Sequence, residues 1–194
     1  VPEAAAAQMA GMLGAAERPV MLVGGTRWTA CSARALESFS AVNDVPVVAA
    51  FRFHDIIDNH CPSFVGDAGV AMNAYMKVLL READLIVAIN IRFGESTTDG
   101  YSLFDAPKMA AKLVHSHASD GEIGKIYAPD LPIHAGPNAM ASALAGISLP
   151  ASEARTAWRD AARENYLAAL TAPAQPGDVD MGVITAHIRD TLPE

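Results

Sequence analysis

One apolar run constrains the fold of this chain more than any other part of its sequence. The residues from Leu85 to Ile89 are all apolar, and the chain then turns polar at Asn90 and carries Arg92. A run without polar alternation buries both faces of a strand, which is typical of a parallel sheet covered by helices on both sides. The loop that begins at Asn90 should then lie at the carboxyl edge of the sheet, where α/β proteins bind ligands.

Strand and helix patterns alternate on both sides of this run, which indicates right-handed βαβ units in a parallel sheet. The predicted strands are Val20–Val23, Pro46–Ala49, Phe64–Gly66, Asp84–Ile89, Lys112–His115 and Leu131–His134. The last of these is an edge strand, because Pro132 cannot donate to a central ladder. The predicted helices are Glu3–Ala16, Ser32–Asn43, Asn73–Arg81 and Asn138–Ala145. The sequence thus predicts an α/β protein, a three-layer α/β/α Rossmann-like sandwich with helices on both faces of these strands.

Composition and charge exclude several classes of protein. Hydrophobic residues make up 51% of the 194 residues and charged residues 19%, which excludes a disordered chain. The net charge is −8 and the Lys and Arg are scattered, so the chain lacks the basic stripe of a nucleic-acid-binding protein. The apolar runs are too short to span a bilayer, so no membrane partner is predicted. Because Cys31 and Cys61 lie outside any C-x-x-C pair and no signal peptide is present, we expect a cytoplasmic protein.

The end of the chain differs in pattern from the rest. Residues 1–150 hold the alternating strands and helices and should form one compact domain. Residues 151–180 begin with a helix capped by Ser152 and continue into the linker-like segment Thr171–Gly177. We interpret residues 181–194 as the first helix of a further unit.

Five motifs, in the same order along the chain, resemble the central domain of thiamine-diphosphate-dependent enzymes of the acetolactate synthase-like family. They are the R-P-V strand with its Gly-Gly turn at Arg18–Gly25, the P-V-V strand at Val45–Val48, the D-N-H loop at Asp58–Gly66, the strand with its Arg at Glu82–Phe93, and the segment Leu113–Lys125 that ends in E-I-G-K. The resemblance covers Glu17 to about Gly146. It implies a six-stranded parallel sheet placed between a pyrimidine-binding and a diphosphate-binding domain, which are the expected partners.

The resemblance also implies the chemistry of a parent enzyme. Members of the family make or break a carbon–carbon bond next to a carbonyl, often that of a 2-oxo acid, with thiamine diphosphate and Mg²⁺ as cofactors. The family holds these cofactors with a G-D-G … N element, whereas the segment Gly177–Asp180 lacks the second glycine. We therefore expect no catalytic residue in this segment and no activity by it alone. Residues 181–194 resemble the start of the diphosphate-binding domain, cut short.

The sequence also predicts how the domain associates with other domains or copies, and it leaves two alternative functions open. Apolar surfaces that face the other domains, on the helix around Trp158 and on Val179–Leu192, should be bare and should favour a homo-oligomer. The alternative functions are a self-standing nucleotide-binding module on the same fold and a purely structural domain.

The candidate ligand site is the crevice at the carboxyl ends of the predicted strands. Gly24-Gly25 could present backbone N–H groups to a phosphate, or could serve only the turn from strand to helix. Arg92, the one cation expected there, could bind a phosphate or could form a salt bridge with Glu95 or Asp99. The predicted cofactor-binding residues are Gly24, Gly25, Asn90, Arg92, Phe93 and His117.

Departures from the family pattern bear on the ligand of this crevice. Asn90-Ile91 stand where the family has Gly-Ala, and His117 and Ser119 replace two Asp that help to hold the FAD nucleotide in flavin-binding relatives. We therefore predict no bound flavin and at most weak binding of an ADP-like nucleotide. The six His, including His115 and His117, lack the spacing of a zinc site, so no metal site is predicted.

Overall fold

The computed structural model of the chain describes residues 1–171 and 173–192 and contains one six-stranded sheet. The strands are β1 (Pro19–Val23), β2 (Val47–Ala50), β3 (Phe64–Ala68), β4 (Leu85–Ile89), β5 (Lys112–His117) and β6 (Leu131–His134). The helices are α1 (Glu3–Ala15), α2 (Ala30–Val42), α3 (Ala74–Glu82), α4 (Pro137–Ala145), α5 (Glu153–Ala169) and α6 (Met181–Thr191). Short 3₁₀ turns lie at His54–Ile56 and Asp120–Glu122.

All strand pairings are parallel, in the spatial order β3-β2-β1-β4-β5-β6. The chain winds outward from β1 to β3 and then returns to the centre, where β4 pairs with β1 along its whole length. This order confirms the predicted three-layer α/β/α, Rossmann-like sandwich. Because the winding direction reverses between β1 and β4, a crevice opens at the carboxyl ends of these strands.

The two faces of the sheet carry separate hydrophobic clusters. The strands β1, β2 and β4 are buried along their whole length. On β4, Val87 and Ile89 pack in one cluster with Leu36 of α2, whereas Ile86 packs in the other with Leu80 of α3. Helices therefore cover both faces of the central strands, as the run without alternation predicted.

The edge strand β6 departs from this pattern. Its edge position is confirmed, but Leu131 and Ile133 are buried whereas Pro132 and His134 are exposed. The prediction that both of its faces would be covered is wrong, because only one face of this outermost strand contacts the core. Its neighbour β5, in contrast, is buried from Leu113 onward.

Helix α5 packs on the sheet domain itself. Ser152 caps it as predicted, with its side chain accepting a hydrogen bond from the N–H of Arg155. The indole Nε1 of Trp158 donates to the carbonyl of Pro19 at 3.0 Å. The ring packs against the hydrophobic cluster that contains Ile86 and Leu80. The expectation of a bare surface around Trp158 is therefore wrong, since this side chain finds its partners on β1 and the adjoining core.

Two side chains bond to the backbone of β3, the other edge strand. The Arg163 guanidinium of α5 donates to the carbonyl of Phe64 at 2.6 Å. The hydroxyl of Tyr75 on α3 donates to the carbonyl of Val65 at 3.1 Å. Burial raises the pKa of Tyr75 to about 12, so its hydroxyl stays protonated and continues to donate at neutral pH.

Helix α6 is capped by Asp180 and exposes apolar side chains, among them Val183, Ile184 and Ile188. The predicted linker Thr171–Gly177 and the predicted segment 181–194 extend into residues 172, 193 and 194, which lie outside the described residues. The domain boundaries and the homo-oligomer stay predictions. Within the described ranges, no helix is long and apolar enough to cross a membrane.

Candidate functional site

A cavity of about 560 Å³ lies at the carboxyl ends of β1, β2, β4 and β5. Its size falls in the range of small-molecule sites, and it lies where the winding direction of the sheet reverses. The lining residues are Gly25, Thr26, Arg27, Ala50, Phe51, Phe53, Asn90, Ile91, Arg92, Thr97, His117, Ala118 and Ser119.

The turn after β1 has a conformation that requires glycine. Gly25 has φ 69°, and a Cβ at this position would lie 2.2 Å from the backbone oxygen of Asn90. Asn90 itself has φ 55°, a conformation that Asn adopts more readily than most residues. Its buried side-chain amide donates to the carbonyl of Thr26 at 3.0 Å. Asn90 therefore fastens the loop after β1 to the end of β4.

Four of the six predicted binding residues line this cavity, namely Gly25, Asn90, Arg92 and His117. Gly24 is buried instead, where a Cβ would lie 2.9 Å from the Cβ of Ala50. Phe93 is also buried, with its ring edge-on to those of His115 and Tyr127 at centroid distances of 5.1 and 5.2 Å. Gly24 thus packs behind the lining residue Ala50, and Phe93 packs in the core outside the lining. The binding role of all six residues stays a prediction.

The cavity has more than one basic side chain. Arg27, which has φ 73°, lines it together with Arg92, so the expectation of Arg92 as the one cation is wrong. The Arg92 side chain is 73% exposed, and its Nε lies 3.8 Å from a carboxylate oxygen of Glu122. The alternative salt bridge with Glu95 or Asp99 is not formed, and Asp99 bonds to Lys77 at 2.6 Å instead.

His117 lines the cavity, and one of its two ring nitrogens is engaged by the backbone of Ser119. Its Nδ1 lies 2.9 Å from the backbone nitrogen of Ser119 and 3.2 Å from the carbonyl oxygen of the same residue. The shorter of these is a bond that the Ser119 N–H donates, and with this bond formed the proton of the neutral ring is on Nε2. Among the described residues no protein group bonds to Nε2, although the residue as a whole is buried. The ring therefore donates where a carboxylate would accept.

Charge and donor type define what the cavity can hold. Among the described residues that line it are Arg27, Arg92 and His117 but no carboxylate, in a chain whose net charge is −8. Nor does any cluster of His, Cys, Asp and Glu in residues 1–171 and 173–192 suit a metal ion. The arrangement is suited to an anionic ligand.

His115 supports the cavity from below. The ring is 1% exposed, its Nε2 donates to the carbonyl of Ile91 at 3.2 Å, and its Nδ1 accepts from the N–H of Gly124 at 3.3 Å. It therefore joins the loop after β4 to the loop after β5. Both ring nitrogens are engaged, so His115 is a structural residue, a role that its spacing from His117 did not reveal.

We expect acid to destabilise the protein through His115. Burial lowers the pKa of this imidazole, whereas in the unfolded chain it protonates near its ordinary value of about 6.5. The stability it contributes is therefore fully present above about pH 6.5 and is lost as the pH falls toward the folded pKa, by at most about 1.4 kcal/mol per pH unit. Denaturation between about pH 8 and pH 5 measures this slope. His115→Gln should lose stability less steeply than the wild type, and equal slopes would contradict the prediction.

The sequence profile of the family described as "Thiamine pyrophosphate enzyme, central domain" matches residues 6–144. The acetolactate synthase large subunit of Parasynechococcus marenigrum is 27% identical over 201 residues, which cover 99% of this chain and 31% of that protein. The glyoxylate carboligase of Escherichia coli O157:H7 is 27% identical over 158 residues, which cover 81% of this chain and 26% of that protein.

A third relative shows a similar partial match. The acetolactate synthase large subunit of Corynebacterium glutamicum is 30% identical over 122 residues, which cover 63% of this chain and 19% of that protein. The chain thus spans less than a third of the length of these relatives.

Proposed function

The chain belongs to the family of thiamine pyrophosphate enzyme central domains, and on this premise we propose that it serves a parent enzyme that makes or breaks a carbon–carbon bond next to the carbonyl of a 2-oxo acid. The names of its relatives, acetolactate synthase and glyoxylate carboligase, support this class of reaction. Pyrimidine-binding and diphosphate-binding domains would supply the catalytic groups, and this domain would act as their scaffold.

The cavity does not fit the cofactor of that reaction. Mg²⁺ is bound by oxygen ligands, usually including carboxylates. Among the described residues that line the cavity, the charged side chains are those of Arg27 and Arg92, and no carboxylate is present. We therefore assign thiamine diphosphate with its Mg²⁺ to other domains and derive no catalytic step in this one.

The second part of the proposal is that the cavity binds an anionic, ADP-like nucleotide. The observation that carries it is the combination of Arg27, Arg92 and His117 in one cavity at the reversal point of the sheet. Flavin is not the proposed ligand. The Asn90 side chain occupies the space beside Gly25, and His117 donates where flavin-binding relatives carry an accepting carboxylate.

Calorimetric titration with ADP and, separately, with thiamine diphosphate and Mg²⁺ tests both parts. We expect weak ADP binding, with a dissociation constant on the order of 0.1 mM, and no binding of thiamine diphosphate. Arg92→Ala should abolish most of the ADP binding and of the accompanying rise in melting temperature, because its guanidinium would be the exposed phosphate ligand. Arg34→Ala, an exposed change on α2 outside the cavity, is the matched control.

Each outcome selects one function. ADP binding that survives Arg92→Ala would move the site elsewhere, and absence of ADP binding would favour the purely structural domain. Micromolar binding of thiamine diphosphate to this chain would contradict the scaffold role. Homo-oligomer formation through the apolar side chains of α6, such as Ile184 and Ile188, and a cytoplasmic location consistent with the free Cys31 and Cys61 remain part of the proposal.

A further inference from the structure

Three histidines on one face of the sheet hold the loop that follows β5. His115 and His117 lie on the same face of β5 because they are two residues apart, and His134 of β6 is the register partner of His117. The ring of each histidine bonds to the backbone of this loop, residues 118–125. The attachment of the loop therefore depends on whether these imidazoles donate or accept hydrogen bonds.

The beginning of the loop is attached in a way that survives protonation of the rings. The Nε2 of His134 donates to the carbonyl of Ala118 at 3.2 Å, and a neutral or a charged ring can make this bond. The Nδ1 of His117 lies 2.9 Å from the nitrogen and 3.2 Å from the carbonyl oxygen of Ser119. A protonated ring can therefore donate to this carbonyl instead of accepting from the N–H, and residues 118 and 119 stay attached in both charge states.

The end of the loop is attached through a bond that needs a neutral ring. In the part of the chain that the structure describes, residues 120–125 make one hydrogen bond to residues outside the loop, from the N–H of Gly124 to Nδ1 of His115 at 3.3 Å. The Nε2 of this ring donates to the carbonyl of Ile91 at 3.2 Å, so the neutral ring carries its proton on Nε2 and accepts at Nδ1. A second proton would lie on Nδ1, directly opposite the N–H of Gly124, and would break this bond.

We propose that residues 120–125 form an acid-sensitive latch, which His115 holds closed while its ring is neutral and releases when the ring gains a proton. The released residues move about residues 118 and 119, which stay attached. Glu122 moves with them, away from Arg92, whose Nε lies 3.8 Å from the Glu122 carboxylate in the closed loop. The pH thereby determines whether this guanidinium beside the cavity is paired, and no ligand in the cavity is required.

The surroundings of His115 favour its neutral form in the closed loop. Burial lowers the pKa of the imidazole most, the bond to the Ile91 carbonyl raises it, the neighbouring His117 lowers it, and the Glu122 carboxylate raises it. Beyond these groups lie two cations that pair with Glu122 and one phenol behind the ring of Phe93, namely Arg92, Lys125 and Tyr127. Burial raises the pKa of Tyr127, so this phenol stays uncharged.

The lowered pKa fixes the pH range in which the latch opens. In the released loop the His115 ring meets water and protonates near its ordinary value of about 6.5. The bond to Gly124 is therefore fully effective above about pH 6.5 and weakens as the pH falls toward the pKa of the closed form. Below about pH 6.5 the equilibrium between closed and open loop shifts toward the open form by at most about tenfold per pH unit.

Hydrogen exchange of the Gly124 amide tests the latch in the intact chain. We would follow exchange by NMR between pH 8 and pH 5 and express it as protection relative to an unstructured peptide at the same pH. The protection of Gly124 should fall by about tenfold between pH 7 and pH 5. The amide of Asn90, which donates to the carbonyl of Ser116 at 2.8 Å at the end of β4, should keep its protection over this range.

Three results would overturn the latch. Constant protection of Gly124 would show that acid does not release the loop. An equal loss at Gly124 and Asn90 would show that acid opens the sheet as a whole. A His115 ring that carries its proton on Nδ1 at pH 8, as seen in its nitrogen chemical shifts, could not accept from Gly124 and would also contradict the proposal.

Two asparagine variants identify the ring that takes up the proton. The side-chain oxygen of asparagine can accept where Nδ1 accepts and does not titrate, so His115→Asn should show no loss of protection at Gly124 in acid. His117→Asn makes the same change on the other ring of β5 and should leave this loss in place. A loss that disappears in His117→Asn would overturn the role of His115. If His115→Asn does not fold, His117→Asn and the position of the ring proton in the wild type still decide.

Discussion

Replacing Gly25 with alanine should lower the free energy of unfolding by about 3 kcal/mol and abolish nucleotide binding. The left-handed conformation at φ 69° costs an alanine about 1–2 kcal/mol. The new Cβ would also lie 2.2 Å from the Asn90 carbonyl oxygen, a backbone atom that cannot rotate away. The loop after β1 must therefore move, and the wall of the cavity moves with it. Denaturant unfolding and ADP titration measure the two effects.

Two other glycines separate the causes of this loss. Gly100 has φ 67° but no neighbouring atom within 4 Å of the position that a Cβ would take, so Gly100→Ala should show the conformational cost alone. Gly94 has neither a positive φ nor a close neighbour, so Gly94→Ala should be nearly neutral. If Gly25→Ala were no more destabilising than Gly100→Ala, the close approach to Asn90 would not matter for stability.

Arg155→Ala should lower the free energy of unfolding by about 3–4 kcal/mol, an effect as large as that of Gly25→Ala. This guanidinium on α5 is 2% exposed, and its Nε donates to the carbonyl of Asn43 at 2.7 Å. Its Nη2 donates to the carbonyl of Pro150. Alanine would leave a cavity and would leave the buried Asn43 carbonyl without its donor. Denaturant unfolding at neutral pH measures the loss.

Arg155→Met separates the two contributions, because methionine refills most of the volume without replacing the donors. We expect it to lose about half as much stability as Arg155→Ala. The competing effect is the cost of burying a charge, and Nη1 of Arg155 has no hydrogen-bond partner among the described residues. A methionine variant more stable than the wild type would show that the cost of burying the charge exceeds the stabilisation by the two hydrogen bonds.

The sheet could be predicted because its signals are local. The unbroken apolar run of β4 indicates burial on both faces, and Pro132 marks an edge strand, without knowledge of any distant residue. The position of α5 depends instead on long-range contacts. Trp158 bonds to a carbonyl 139 residues earlier, at Pro19, and an indole N–H can pair with any carbonyl of suitable geometry. The sequence of α5 therefore indicated an amphipathic helix but not the surface that this helix covers.

Part of the candidate site could also be predicted from local sequence signals. Asn90, Arg92 and His117 follow directly after buried strands, so their place at the sheet edge follows from the strand pattern. Arg27 was missed because it reaches the cavity through a loop with positive φ angles, which no periodicity indicates. The ion partner of Arg92 was also missed, because Glu122 comes from the loop after the neighbouring strand β5.

The side-chain hydrogen bonds to the carbonyls of β3 should affect how readily this protein aggregates at high concentration. An edge strand with free backbone groups is a template on which another chain can add a strand, and so begin aggregation. On β3, the carbonyls of Phe64 and Val65 are already taken by Arg163 and Tyr75. On β6, Pro132 has no N–H to offer. Each edge of the sheet thus has backbone positions that cannot pair with an added strand, and Arg163→Ala should form aggregates more readily than the wild type.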